Sequence, residues 1–261
     1  MAKKGQPKST NRSGNGEHGA EPLAGKAIVI SGGTTGIGRA TAILLASRGA
    51  RVLIFGRHEP ELQSALKDIK SGGGEGYGIT ADQSRQSDIR RIFQEADRQL
   101  WGVDVLINNA AVSAESVLEG DYEDWQYALH TNLLGYIACC REAIDRMKDK
   151  GGGHIVNVGS MSADLREPGG DVYVATKAGI QGFSESLRKK VNEMGIRLSL
   201  IEPGLVESEL TRKSPEKVRE KKQNQEMLEA EDIAESIYYV LTQPPRCDVV
   251  SVQIRPLKQL I

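Results

Sequence analysis

Long hydrophobic runs are missing from this chain. Apolar stretches such as residues 27–30 are far too short to span a bilayer, so a membrane-embedded protein is not expected. An excess of one charge is missing too: 34 Lys and Arg against 35 Asp and Glu leave a net charge of -1. No basic field is available to attract nucleic acid, and nothing biases the chain toward an anionic membrane surface. Cysteine is scarce. Cys139, Cys140 and Cys247 are odd in number and form no C-x-x-C, and no histidine stands at metal-ligand spacing. A disulfide framework and a metal site are therefore not expected. Cys139 and Cys140 are adjacent in a helical pattern and point about 100° apart, as reduced packing thiols of a cytoplasmic protein would.

Residues 1–22 lack any aromatic or branched apolar side chain and are rich in Lys, Ser, Asn and Gly. Such a segment cannot bury enough surface to offset its ordering entropy, and a disordered extension is expected. It has no apolar core of a secretory signal, and Glu17 and Glu21 argue against a transit peptide.

What is present is an alternation. With 261 residues and 39% hydrophobic content the chain can bury one sizeable α/β core over residues 23–261. Near-continuous apolar runs at 27–31, 51–56, 75–80, 105–107, 154–160, 196–201 and 249–254 read as buried parallel strands. Amphipathic stretches at 36–48, 59–71, 84–100, 122–148, 172–193 and 230–241 separate them. Seven strands alternating with helices specify a doubly wound parallel sheet, helices on both faces, in a single domain. A run dense in Lys, Arg and Glu at 207–226 reads either as a solvated face or, from its place after a strand's C-terminal end, as a substrate flap.

Between the first strand and the first helix lies Ser31-Gly32-Gly33-Thr34-Thr35-Gly36-Ile37-Gly38. Gly32 permits a sharp turn, Gly36 lets backbone approach a pyrophosphate, and Gly38 lets helix pack on sheet. The helix start offers N–H groups and a positive dipole end to phosphates. The spacing is G-x-x-x-G-x-G rather than G-x-G-x-x-G, but its position supports dinucleotide binding. The second strand ends in Gly56-Arg57-His58, without the acid that binds the ribose hydroxyls of NAD. Arg57, if it is not merely a surface arginine, can pair with a 2′-phosphate, which points to NADP.

Tyr173 and Lys177 stand four apart at the start of an amphipathic pattern, one turn apart on one face. A nearby cation lowers a phenol's pKa from about 10 toward the range of a general acid or base. Ser160 ends the fifth strand, thirteen residues before Tyr173, where ligands bind in such sheets. A hydroxyl there can polarise a carbonyl.

With these motifs in order the chain resembles the short-chain dehydrogenase/reductase family over nearly all of residues 23–261. Asp82, Asn108-Asn109-Ala110, Asn132-Leu133-Leu134-Gly135 and Pro203-Gly204-Leu205-Val206-Glu207-Ser208 complete the match. The resemblance implies hydride transfer between NADP(H) and a small-molecule alcohol/carbonyl pair. It implies Tyr173 as proton donor or acceptor, Ser160 as the group bonding the substrate oxygen, and Lys177 as the holder of the nicotinamide ribose. Asn132 would anchor a proton-relay water. Asp82 would contact adenine, Asn108 would line the cofactor floor, and the Val206 backbone would meet the carboxamide. Ser31, Gly32, Thr34, Gly36, Ile37, Ala110, Pro203, Gly204 and Ser208 complete the implied cofactor site. Ser31 and Ser208 replace the usual Thr, and Ala111 replaces the last Gly of an N-N-A-G turn. The family resemblance also implies a homodimer or homotetramer through 122–148 and 172–193; Leu129, Leu133, Ile137, Cys140 and Ile144 form a broad apolar stripe there.

Gly169–Tyr173 and the ending around Thr242–Pro245 and Gln253–Pro256 are similar to NADP-dependent enzymes that oxidise serine and other 3-hydroxy acids, and to clavulanate dehydrogenase. A 3-hydroxy acid substrate would need a cation for its carboxylate. Arg166 and Arg212 are the candidates, with solvent exposure or a salt bridge to Glu167 the competing fate for Arg166. The alternative to an enzyme is a catalytically retired nucleotide-binding regulator or scaffold of the same fold; the intact set Asn132, Ser160, Tyr173 and Lys177 weighs against it.

Overall fold

The computed structural model describes residues 21–207 and 215–259. Seven parallel strands form one sheet in the order β3-β2-β1-β4-β5-β6-β7. They are β1 (Ala27–Ser31), β2 (Arg51–Gly56), β3 (Glu75–Thr80), β4 (Val105–Asn108), β5 (Gly153–Val158), β6 (Ile196–Pro203) and β7 (Ser251–Ile254). Every residue of β1 and β4 is buried, while β7 at one edge alternates exposed and half-buried. That gradient follows from helices covering both faces of the central strands.

Side chains alternate across the sheet and build two cores. On one face Ile28, Ile30, Val52 and Ile54 meet α1 (Gly36–Ser47), α2 (Glu59–Ser71) and α9 (Ala230–Thr242) through Leu45, Leu62 and Ile237. On the other, Val29, Leu53 and Leu106 meet α3 (Gln86–Leu100), α5 (Gly135–Asp149) and α7 (Asp171–Val191) through Phe93, Cys139, Met147 and Val191. Cys139 and Cys140 are fully buried, and burial pushes the Cys140 thiol up to about 12 and the Cys139 thiol further. Both are packing residues with no thiolate near neutral pH.

The strand order reverses direction between β1 and β4, and the crevice at that switch point lies where the C-terminal ends of the strands meet the loops. Among the described residues no helix is long and apolar enough to cross a membrane, and no cluster of metal-ligating side chains is present.

Four features depart from the sequence reading. The stretch 122–148 is not one helix: α4 (Tyr122–Leu129) leads into a π turn at His130–Leu134 before α5 begins. Within that turn the Thr131 carbonyl accepts from Gln83 Nε2 at 2.6 Å. Gly135 presses against Gln83 so closely that a Cβ would lie 2.9 Å from the Gln83 carbonyl oxygen. A widened turn keeps the apolar periodicity almost unchanged, so the pattern hides it. β5 ends at Val158, leaving Ser160 in the loop beyond the strand rather than at its last position. Two helices were not expected: α6 (Ser162–Leu165), and α8 (Pro215–Gln223) inside the predicted flap. Within the predicted extension, the Glu21 carboxylate accepts the Tyr238 hydroxyl at 2.8 Å. The rest of the predicted extension, residues 1–20, lies outside the described residues.

Candidate active site

Residues 31–38 turn from β1 into α1 at the crevice. Gly32 and Gly36 hold positive φ, 60° and 49°, a conformation that L side chains rarely adopt. Gly38 is packed so tightly that a Cβ would collide with the Gly32 carbonyl oxygen. No side chain caps the N terminus of α1 at Thr35, and its first turn carries no acid. The uncapped N–H groups and the positive end of the helix dipole thus remain for an anion, and these residues fit a dinucleotide pyrophosphate. Thr34 is nearly buried, and Ile37 packs against the core beneath.

Two residues predicted to touch the cofactor serve the scaffold instead. Ser31 is fully buried, and its Oγ accepts from the Asn109 and Ala110 N–H groups at 2.8 and 2.9 Å, tying the β4 turn to the glycine loop. Asn108, expected on the cofactor floor, has no exposed surface. Its amide donates to Asn157 Oδ1 at 2.9 Å and to Cys140 Sγ at 3.3 Å. Asn157 in turn donates to Ser184 Oγ at 2.8 Å, so Asn108 anchors a polar chain linking β4, β5 and α7. The reason is the strand's alternation, which turns this position into the α5–α7 face. Asn109 is the residue that reaches the loop, donating to the Ser31 and Gly32 carbonyls.

At the far end of the crevice the tips of β2 and β3 meet α4. A Cβ on Gly56 would stand 2.7 Å from Thr34 Oγ1 and 2.8 Å from its Cγ2, so any side chain at the tip of β2 requires that of Thr34 to shift. Arg57 is exposed; its Nη1 donates to Tyr127 Oη at 2.6 Å, and its guanidinium lies 5.5 Å from that ring's centroid. Tyr127 Oη donates in turn to Asp82 Oδ2 at 3.1 Å. Asp82 is held by its own turn, accepting from the Ser84 N–H at 2.9 Å.

The centre of the crevice carries Ser160, Tyr173 and Lys177. Ser160 lies close enough to Tyr173 to act on its phenol, and its Oγ donates to Ser162 Oγ and accepts from the Ser162 N–H, each at 3.1 Å. Lys177 is 2% exposed, donates from Nζ to the Val158 carbonyl at 3.0 Å, and lies 5.7 Å from the Tyr173 ring centroid. Burial lowers its ammonium to about 8. The sequence led to a phenol depressed by Lys177; the balance differs. Burial raises the Tyr173 phenol, and the nearby Ser160 hydroxyl opposes that rise.

Asn132, fully buried in the π turn, is committed at both ends. Its Oδ1 accepts from the Val112 N–H and its Nδ2 donates to the Val112 carbonyl, each at 2.8 Å. It therefore clamps the chain leaving β4 against α7, where Thr176 lies 3.4 Å from the same amide.

A second clamp escaped the sequence reading. Asp171, the first residue of α7, accepts from Ser116 Oγ at 2.7 Å and from the Val117 N–H at 3.1 Å, fixing the β4–α4 loop two residues before Tyr173. Serine and aspartate 55 positions apart give no local signal of this contact. Arg166 is exposed, in a left-handed conformation (φ 53°), with Nε donating to the Ala163 carbonyl at 3.2 Å. It lines a groove of about 560 Å³ with Leu118, Glu119, Asp171 and Val174, whose lining includes neither Ser160 nor Tyr173. Among the described residues the one hydrogen bond of the Arg166 side chain goes to the Ala163 carbonyl and to neither Ser160 nor Tyr173.

Beyond β6, Gly204 donates to the Ile254 carbonyl at 2.7 Å, and Val206 bridges Leu228. Pro203 ends β6 and its carbonyl accepts from the Met161 N–H at 2.9 Å. The later part of the predicted flap is pinned by Lys222, which pairs with Glu207 at 2.9 Å and Glu229 at 2.6 Å. Ser208 and Arg212 lie outside the described residues.

The sequence model of the short chain dehydrogenase family matches residues 26–219, and the chain belongs to that family. It is 34% identical to a 3-oxoacyl-[acyl-carrier-protein] reductase of Bos taurus over 84% of this chain and 92% of that protein. It is 32% identical to dehydrogenase/reductase SDR family member 11 of Bos taurus over 89% and 96% of the two chains. A metagenomic short-chain oxidoreductase solved in complex with NADP superposes with a TM-score of 0.77 at 26% identity, covering 90% of this chain and 98% of that one. A Serratia marcescens short-chain dehydrogenase/reductase, solved as a double mutant, gives a TM-score of 0.81 at 26% identity over 92% and 100%. The protein is an oxidoreductase of a family that works with a nicotinamide cofactor.

Proposed function

We propose that this chain is an NADP(H)-dependent enzyme interconverting a small-molecule alcohol and its carbonyl, with a 3-hydroxy acid or its 3-oxo partner as the substrate class. The observation that carries the reading is the gathering of Tyr173, Ser160 and buried Lys177 at the end of β5, with Lys177 Nζ 5.7 Å from the Tyr173 ring centroid and bonded to the Val158 carbonyl. Ser160 Oγ holds the substrate oxygen. Tyr173 Oη gives it a proton during reduction and takes one during oxidation. Lys177 supplies positive charge near the ring, favouring the phenolate as the proton leaves. Asn132 and Asp171 keep the facing loop in place by clamping Val112 and Ser116–Val117. The nicotinamide, when bound, donates or accepts the hydride. Residues 32–38 hold its pyrophosphate, Asp82 and Arg57 flank the adenosine, and Pro203–Val206 with Ala110 border the nicotinamide end.

The preference for NADP rests on Gly56 and Arg57: the strand tip carries no acid, and the adjacent guanidinium suits a 2′-phosphate. The preference for an oxygen at carbon 3 is supported by the name of the 3-oxoacyl reductase relative, which puts the reacting carbonyl where a 3-hydroxy acid carries its hydroxyl. A homodimer or homotetramer in the cytoplasm completes the proposal. Turnover of a panel of aldehydes, ketones, 3-oxo esters and 3-hydroxy acids with each cofactor tests it. We expect kcat/KM to favour NADP(H) over NAD(H) by roughly 2–3 kcal/mol, the scale of a hydrogen bond to a charged group. Equal use of both cofactors refutes the NADP assignment, and inactivity toward every 3-oxygenated acid or ester refutes the substrate class.

A further inference from the structure

Arg57 stands at the end of a strand with a long flexible stem, and a free arginine there would sample many rotamers. Here it does not stand free. Among the described residues its guanidinium makes one hydrogen bond, from Nη1 to Tyr127 Oη at 2.6 Å, and it faces the Tyr127 ring at 5.5 Å. Tyr127 is half-buried and comes from α4, the helix after β4, whereas Arg57 follows β2. The phenol has a fixed polarity, because it accepts from Arg57 while donating to Asp82 Oδ2 at 3.1 Å. Asp82 is itself immobilised by the Ser84 N–H at 2.9 Å, and its own N–H donates to Asp88 at 2.9 Å. A chain of hydrogen bonds therefore runs from the fixed turn after β3, through the phenol, to one nitrogen of the guanidinium.

We propose that Tyr127 is a positioning residue for cofactor selectivity: it fixes Arg57 at the tip of β2 so that the unused edge of the guanidinium is presented to a 2′-phosphate. The inference rests on the NADP reading of Arg57. Its physical content is preorganisation. An arginine already held by its neighbour loses less side-chain entropy when it binds a phosphate. The hydroxyl contributes nothing comparable for NAD, whose ribose carries no phosphate for Arg57 to meet.

The test is isothermal titration of the full-length protein with NADPH, NADH, 2′,5′-ADP and 5′-ADP, in wild type, Tyr127→Phe, Arg57→Ala and the double variant. Tyr127→Phe keeps the ring under the guanidinium and removes only the hydroxyl. We expect it to weaken NADPH and 2′,5′-ADP by about fivefold to tenfold, the scale of one hydrogen bond. NADH, 5′-ADP and kcat at saturating NADPH should be unchanged, and in the Arg57→Ala background Tyr127→Phe should have no further effect. Equal weakening of all four ligands would overturn the proposal by making Tyr127 a general support of the adenosine pocket. Tighter NADPH binding would also overturn it, since the hydroxyl would then compete with the phosphate. The two readings fail separately: if Arg57→Ala leaves the NADPH to NADH ratio unchanged, the NADP reading falls. If that ratio collapses while Tyr127→Phe is silent, only the role of Tyr127 falls.

Discussion

A buried phenol exchanges protons near neutral pH only if its surroundings favour the anion, and around Tyr173 they pull in opposite directions. Burial raises it, Ser160 lowers it, and Lys177 stands near at an ammonium pKa of about 8. Removing the hydroxyl should therefore remove the chemistry without disturbing the pocket. Tyr173→Phe is expected to cut kcat by on the order of a thousandfold, within the usual range for general acid–base catalysis. NADPH affinity by fluorescence titration should barely move, and a variant retaining more than a tenth of wild-type turnover would remove Tyr173 from its role. His154 offers a second residue-level test, on stability. Its Nε2 contacts Ser199 Oγ at 2.9 Å, and that hydroxyl donates to the Val249 carbonyl at 2.6 Å, so Nε2 must carry the proton. Nδ1 is buried with no partner, and burial with the Arg197 charge depresses the imidazole from 6.5 to about 3. Between those values the unfolded chain holds one more proton than the folded one, so stability falls as pH drops below about 6.5. Urea unfolding at pH 7.5 and 4.5 should show the wild type losing about 2–3 kcal/mol more than His154→Gln. An identical pH dependence in both proteins would contradict a neutral buried His154.

At the scale of elements, the union of the glycine loop with α1 is the contact that most constrains the crevice. Gly38 lets the helix approach Gly32 to a distance that no side chain allows. Gly38→Ala must push helix and loop apart, so we expect a loss of about 1–3 kcal/mol in unfolding free energy. The same shift displaces the uncapped N–H groups, and dinucleotide affinity should fall at least tenfold in a titration. Full affinity in the variant would separate the loop's packing from its binding. The π turn at His130–Leu134 is a second such element: it carries Asn132 to the Val112 backbone and Thr131 to Gln83, coupling α4, the β4 exit and the loop after β3.

For the whole molecule, the apolar stripe read along 122–148 divides into two destinations. Cys140 is fully buried and Ile144 packs on the core under α3 and α5. Leu129 at the end of α4, Leu134 in the π turn and Ile137 on α5 keep 41%, 50% and 37% of their surface exposed. Large apolar side chains exposed on three successive elements are costly to leave in water and suit a second copy. Light scattering at micromolar concentration should give a dimer or tetramer, and Ile137→Arg should lower the mass toward the monomer. A monomeric wild type would contradict the assembly.

The sequence by itself determined the alternation of strands and helices, the glycine loop and the Tyr173–Lys177 pair. Each rests on local relations: the strand period, the helical turn, the conformational freedom of glycine at 32 and 36. It also placed Arg57 at a strand tip without an acid. That the Thr34 side chain crowds this tip from across the loop is visible only in the fold. Tertiary contacts likewise turned Asn108 and Ser31 into buried scaffold and closed the Asp171–Ser116 clamp. They drew Arg166 into a groove with Leu118 and Glu119 and joined Arg57 to Asp82 through Tyr127. The physical reason is common to all of these. A hydrogen bond between residues tens of positions apart leaves no periodicity in the chain, and the direction of a side chain at a strand end depends on which neighbour fills the space beside it.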